Sequence, residues 1–298
     1  AHDVPVRASS RDSAEVEHEG AVGDPPRPAA RHGRRAGEVD TVRVLVCVKR
    51  VPAPGARINI TDDGQSVDTA NLGFAMSPHE ECGVELAVQL VEKHGGSSHV
   101  LSLGTTEAEE QCRYAASIGV GAATLVSVDA DDWDPQRTAA ALTGAIREIE
   151  SADGPFDLLV FGNESADTGG FQVGIRVARA LGRPVVNGAK GVEVSDDESA
   201  VEVRRETDAG AELYRLALPA VVGVKEGITW PRYPTMRGRL ASKKLEVAVV
   251  GSDETPGGQS KVRLVRPEEK VSATEVLGNG PDAAARAVEL MREMGLVR

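Results

Sequence analysis

The chain has 298 residues, 41% of them hydrophobic and 27% charged, with a net charge of −12. That is ample length for a buried core in one large or two moderate domains of an ordinary globular protein. The acidic balance excludes nucleic acid as the main partner, since phosphate binding needs a basic face. No apolar run approaches the ~20 residues of a membrane span, so direct membrane insertion is not expected.

Three cysteines, Cys47, Cys82 and Cys112, form no CxxC pair. Buried free thiols in a reducing, cytoplasmic setting are expected rather than a disulfide framework or a zinc site. Residues 1–41 mix Pro, Gly, Ala and both charges without a hydrophobic period and are expected to be a disordered N-terminal extension, with the fold starting near Val42. Arg34-Arg35 is not read as a twin-arginine signal, because Arg43 and Lys49 interrupt the apolar stretch that follows, and the acidic residues exclude a transit peptide.

From Val42 a regular alternation begins. "VRVLVCVKR" is a buried strand. "SPHEECGVELAVQLVEKHGG" is a helix with Ser77 as N-cap, Pro78 at its first position and Glu80 completing a capping box, stopped by Gly95-Gly96. "SHVLSLG" is the next strand, ending at Gly104, after which Thr106 and Glu109 predict a capped helix running to Gly119. "ATLVSV" is a strand, and Asp134-Pro135 starts a helix carrying Leu142, Ile146 and Ile149. "FDLLVFG" is a fourth strand, and "FQVGIRVARALG" a helix. Strands alternating with helices predict an α/β fold, a doubly wound and mostly parallel sheet over about 42–190. After Pro184 apolar and polar residues alternate instead, with turns at Ser195–Glu198 and Asp208–Gly210, which predicts an antiparallel ribbon and a Pro- and Arg-containing surface loop over 191–250. A linker and a last amphipathic helix, "PDAAARAVELMREMGLVR", fill 251–298 as a C-terminal arm.

Ligands of such sheets sit beyond the carboxyl ends of the strands, here Cys47–Arg50, Gly104–Thr105 and the loop "GNESADTGGFQVG". Backbone N–H groups at a helix start, aided by the helix dipole, bind an anion without a basic side chain. Thr168, Gly169 and Gly170 permit close backbone approach, Gln172 has an amide to donate, and Asp167 or Glu164 could accept from a ribose hydroxyl or an adenine amino group. The alternative is that Asp167 only caps the helix and Gly169-Gly170 only turn the chain. Nothing supports nucleophilic or metal catalysis: there is no GxSxG, GxxxxGK[ST] or HExxH. "GVGAAT" lacks a third glycine and precedes a strand, and His79, His94 and His99 are scattered.

Three sets of residues resemble the β subunit of electron transfer flavoprotein. They are "VLVCVKRVP" with "MSPHEECGVELAV", then "VFGNESADTGGFQVG", and then "VRRETDAGAELYRLALPAVVGVKEGITWPRYPTMRGRLASKKLEV", the most specific of them. The resemblance spans about Val42 to Val247, with "ELMREMGLVR" similar to the family's closing helix. It implies an adenine-nucleotide-binding, Rossmann-like sheet in a heterodimer whose α subunit supplies most of a single FAD site. This chain would be an electron-carrier subunit without turnover chemistry of its own. It would hold a structural AMP through Cys47, Ser77, Pro78, His79, Glu80, Thr105, Asn163, Glu164, Ser165, Ala166, Asp167, Thr168, Gly169, Gly170, Phe171, Gln172, Val173 and Gly174.

The same resemblance implies a partner-recognition loop made of Arg232, Tyr233, Pro234, Thr235, Met236, Arg237, Gly238, Arg239, Leu240 and Ala241. Arg232, Arg237 and Arg239 would steer it onto acyl-CoA and related dehydrogenases, whose electrons pass through the FAD to a membrane quinone oxidoreductase. The chain departs from the family at Pro54, where an aromatic residue is common, at Ala209 in the acidic-Gly-Gly turn, and at Thr168-Gly169, where many members carry acids. Two other readings stay open: a bifurcating-type β subunit with FAD in place of AMP, and a stand-alone stress-type nucleotide-binding regulator, which would not need residues 191–247.

Overall fold

In a computed structural model, residues 41–129, 133–252, 256–267 and 274–297 are described. The expected N-terminal extension lies outside them, apart from Thr41. The first strand, β1 (Val42–Val48), is the hinge of the architecture, and alternation along it explains the layers. Val42, Val44, Val46 and Val48 pack on one face, while Leu45 and Cys47 pack on the other. Both faces are therefore covered, as a doubly wound sheet requires.

A two-stranded turn, β2 (Val51–Pro52) with β3 (Phe74–Ala75), leads into helix α1 (Pro78–His94). Its capping box is present as expected, and Gly95 ends it. Strand β4 (Gly96–Gly104) then starts two residues earlier than the apolar pattern suggests. Gly96 has φ +105°, and a Cβ there would stand 2.1 Å from the Val42 carbonyl oxygen, so only glycine fits. A 3₁₀ turn (Thr106–Ala108) precedes α2 (Glu109–Ile118), followed by β5 (Ala122–Ser127), α3 (Pro135–Asp153), β6 (Leu158–Gly162) and α4 (Val173–Leu181). The Thr106 cap is corrected: α2 begins from Ala108 with no side-chain cap, because the 3₁₀ turn already supplies its first turn. Asp134 caps α3 as expected, accepting from Arg137 N–H at 2.7 Å.

Helices α1 and α2 lie on one face of the sheet, α3 and α4 on the other. Strands β7 (Val185–Val194), β8 (Ala200–Thr207) and β9 (Gly210–Ala217) form the antiparallel ribbon, turning where the sequence predicts. The ribbon expectation fails at β10 (Ala220–Val224), which runs parallel between β6 and β7. Its residues, AVVGV, are all buried, the mark of a strand covered on both faces rather than of an alternating ribbon. The short helix α5 (Met236–Ser242) leads to β11 (Val247–Val250), which closes one edge of a nine-stranded sheet ordered β11-β5-β4-β1-β6-β10-β7-β8-β9. A second 3₁₀ turn (Gly280–Asp282) and α6 (Ala283–Glu293) follow, with no buried residue in either.

Candidate functional site

The crevice is built where β1, β6 and β10 end and α1 begins. Ser77 is fully buried. Its hydroxyl accepts from Glu80 N–H at 3.3 Å, and the Glu80 carboxylate accepts from Ser77 N–H at 3.2 Å. Pro78 starts the helix at no cost in backbone donors. His79 Nδ1 accepts from Glu226 N–H at 2.6 Å, so the ring proton sits on Nε2, 3.3 Å from Glu164 Oε1. At Gly162 β6 lies close against α1, since a Cβ there would lie 2.9 Å from Glu80 Cγ.

Glu80 is a buried carboxyl among opposing influences. Burial pushes its pKa up from the ordinary 4.5 to about 7, against N–H bonds from Lys49 and Ser77 and the charge of Lys49; the Asp167 charge adds to the rise. Cys47, buried at the end of β1, has its thiol pushed well up by burial and then by the Glu80 charge, so it remains a neutral thiol. All three cysteines are buried and free.

Lys49 ties the loop after β6 to the end of β1 through a 2.6 Å bond to Asp167 Oδ2. Burial works against the Asp167 charge, but Lys49 outweighs it, aided by Ser165 and Thr168 N–H, and holds the carboxyl below its usual range. Asp167 therefore does not cap α4. The loop is cross-braced instead: Ser165 Oγ lies 2.8 Å from Thr168 Oγ1, and Gly169 N–H donates to the Ser165 carbonyl at 2.9 Å. Asn163 is buried, its N–H bonded to the Val224 carbonyl, whereas Ala166 and Phe171 are exposed. Helix α4 starts from Gln172 without a side-chain cap. The Gln172 Oε1 accepts from Arg176, which leaves its amide N–H₂ outside that contact.

Val173 opens the helix, and Gly174 packs on Phe161: a Cβ there would lie 3.0 Å from the ring. The small residue at 174 answers to the sheet beneath it. Thr105, at the end of β4, bonds Glu107 at 2.5 Å. Lys49 falls within the strand-end stretch Cys47–Arg50 that the sequence marks, though it was not among the named site residues, and β1 and β6 end side by side. Glu226 escaped the sequence reading, because β10 was not recognised as a central strand.

A second surface lies over α1 and α2. Thr229 and Arg232 are bonded to Cys82, Gln89, Glu85 and Glu92 of α1. The expected steering role of Arg232 is thereby corrected: its guanidinium is spent on two carboxylates of its own chain, which raise its pKa further, Glu92 first and then Glu85. The expected loop is likewise a helix from Met236 onward, because Thr235 caps it by accepting from Gly238 N–H at 3.0 Å. Gly238 admits α5 onto α2, where a Cβ would meet the Ser117 carbonyl oxygen at 2.2 Å. Arg113 holds the far end through the Ser242 and Leu245 carbonyls. Tyr233 (91% exposed), Met236 (74%) and Leu240 project from this braced segment, as does Trp230 (89%), which the sequence reading left out. Pro234 is partly covered; Arg237, Arg239 and Ala241 are exposed.

Among the described residues there is no cluster of His, Cys, Asp and Glu able to hold a metal ion, and no helix long and apolar enough to cross a membrane. The sheet and its strand-end crevice define a doubly wound, Rossmann-like α/β protein. A family model described as the electron transfer flavoprotein domain matches residues 66–255. The electron transfer flavoprotein subunit beta of Syntrophomonas wolfei is 32% identical over 257 residues, covering 84% of this chain and 96% of that protein. The subunits of the same description from Mycobacterium tuberculosis and Bacillus subtilis are 31% and 28% identical, covering 85% and 78% of this chain and 93% and 89% of their own lengths. The chain belongs to the electron transfer flavoprotein family, on the side of its β subunits.

Proposed function

We propose that this chain is the β subunit of a heterodimeric electron transfer flavoprotein, holding an AMP that is never consumed while an α subunit carries most of the FAD site. The observation that carries the reading is the crevice closed by two long-range side-chain pairs, Lys49–Asp167 and His79–Glu164. It belongs to a chain that aligns with β subunits over nearly all their length.

An adenine nucleotide fits what the residues leave open. The uncapped start of α4 and the Gln172 amide suit an anion. Arg50 Nε, buried without a hydrogen-bond partner at the end of β1, is a further donor at that edge. Glu164 and Asp167 supply acceptors for hydroxyl or amino groups. The nucleotide would be held by Cys47, Ser77 to Glu80, Thr105 and Asn163 to Gly174, together with Lys49. The flavin supplies the redox chemistry; this chain's residues bind, brace and position.

The exposed Trp230, Tyr233, Met236 and Leu240 would dock acyl-CoA and related dehydrogenases, with electrons passing on to a membrane quinone oxidoreductase. The C-terminal arm, residues 251–298, would reach the α subunit with Val288 and Met291, which α6 leaves half exposed. The complex would work in the cytoplasm.

The test is to purify the chain with its α partner, denature the complex and chromatograph the released nucleotides. AMP with one FAD supports the proposal. Two FAD molecules would put FAD in this crevice, and neither nucleotide would overturn the reading.

A further inference from the structure

Arg232 anchors a stretch of surface where Trp230 and Tyr233 stand almost fully clear of the protein and Met236 is 74% exposed. Its Nε lies 2.9 and 3.0 Å from the two Glu85 carboxylate oxygens and its Nη2 2.8 Å from one of them. Nη1 and Nη2 reach Glu92 at 2.7 and 2.9 Å, and the Arg232 backbone N–H also bonds Glu85 at 3.1 Å. Glu85 and Glu92 are seven residues apart on α1, two turns along one helix face. The Glu85 side chain is only 3% exposed. A buried carboxylate is kept only when paired, so this contact holds the segment at one register on α1.

The neighbours reinforce it. Pro231 and Pro234 flank Arg232 and Tyr233 and restrict the backbone. We propose that Arg232 is a positioning residue: it touches no partner, but locks the Trp230–Met236 segment onto α1 and so presents its apolar side chains already ordered. Binding then spends less conformational freedom, which raises affinity without adding a contact. A lysine would not replace it, since a point charge cannot bridge two carboxylates as a planar fork does. This inference rests on the docking role proposed above.

The experiment uses the α/β complex and a medium-chain acyl-CoA dehydrogenase as electron donor, with the concentration of complex varied. Because Arg232→Met alone strands the Glu85 charge, it is paired with Glu85→Gln, which removes the tether and the buried charge together. Hydrogen exchange across residues 229–236 should quicken in the double variant and in Arg232→Lys. The Michaelis constant for the complex should rise about tenfold in the double variant and by less in Arg232→Lys, with FAD content and melting temperature held. Met236→Ala serves as the control for docking itself. If Met236→Ala raises the Michaelis constant and the Arg232 variants do not, positioning is overturned and docking stands. If neither changes it, docking fails and the positioning role with it. A Michaelis constant that rises only in step with lost FAD and lowered melting temperature would make Arg232 a fold residue and overturn the proposal.

Discussion

Lys49 and Asp167, 118 residues apart in the chain, are joined by a 2.6 Å ion pair between the end of β1 and the loop after β6. Parallel pairing of Cys47 with Phe161 makes this possible, because it brings the residues just past both strands to the same edge. The pair is partly solvated, with side-chain exposures of 34% and 23%. Its worth therefore lies nearer a surface pair than a buried one.

Lys49→Met should loosen the loop rather than unfold the chain. Partly exposed pairs contribute up to ~1 kcal/mol, so the melting temperature should fall by no more than a few degrees. Nucleotide retention should fall further, because the loop proposed to hold the nucleotide loses its brace. Asp167→Ala should have the same effect, and the double substitution should be no worse than either single one. Retention of nucleotide through gel filtration measures this; additive losses would mean that the two side chains act separately.

Glu80 predicts a pH dependence of unusual sign for a carboxylate. Its folded pKa, about 7, lies above the ordinary 4.5, so between these values the folded state binds the extra proton. Its stabilising contribution is full below about pH 4.5 and is lost as pH rises through about 7. At roughly 1.4 kcal/mol per unit, a shift from 4.5 to about 7 amounts to about 3 kcal/mol across the window. The Asp167 carboxyl, held below its usual range, acts in the opposite sense but only in more acid solution. Denaturant midpoints of wild type and Glu80→Gln at pH 5 and pH 7.5 isolate the effect. The variant should lose the decline between these pH values, and parallel declines in both proteins would exclude Glu80 as the cause.

Much of this was legible in the sequence, and the reasons are local. Ser77, Pro78 and Glu80 announce α1 because a capping box is decided within four residues, and the Asp134 cap of α3 is equally local. The valines of β1 mark a strand buried on both faces wherever the rest of the chain goes. What escaped depends on partners far along the chain. β10 is five residues that read as the end of a ribbon until β6 and β7 take it between them. β11 is four residues that become a sheet strand only beside β5. Arg232 looks like a surface charge in sequence, and only the packing of residues 229–232 on α1 shows where its guanidinium goes.

Gly174, one of the AMP-holding residues implied by the family resemblance, packs on Phe161 in the structure. A methyl at 174 would stand 3.0–3.2 Å from three Phe161 atoms, closer than ordinary contact. Gly174→Ala should destabilise the protein by about 1–3 kcal/mol, the usual cost of overpacking. The loss should be the same with and without added AMP. Combining it with Phe161→Leu should restore part of the stability, because the flat ring is what the methyl meets. Thermal melting of wild type, both single variants and the double variant tests this, and a loss seen only with nucleotide present would return the constraint to the ligand.

Met236 is the sharpest test of docking. It begins α5, is 74% exposed, and stands in the same braced segment as Tyr233 and Trp230. An unbranched thioether adapts to irregular partner surfaces, which suits the proposed docking of several donors. As the first residue of a helix capped by Thr235, it can be truncated without disturbing the cap or the packing of Gly238 on α2. Met236→Ala should therefore leave folding and FAD content intact. Truncating a central interface side chain costs ~2 kcal/mol or more, a roughly 30-fold loss of affinity, whereas an exposed residue without a partner costs almost nothing. Steady-state reduction by a medium-chain acyl-CoA dehydrogenase at varied concentration of the α/β complex reads the difference directly. A 30-fold rise in the concentration needed for half-maximal rate is the expected result. An unchanged half-saturation and rate would mean that this exposed methionine meets no electron donor, and the docking surface would have to be sought elsewhere on the chain.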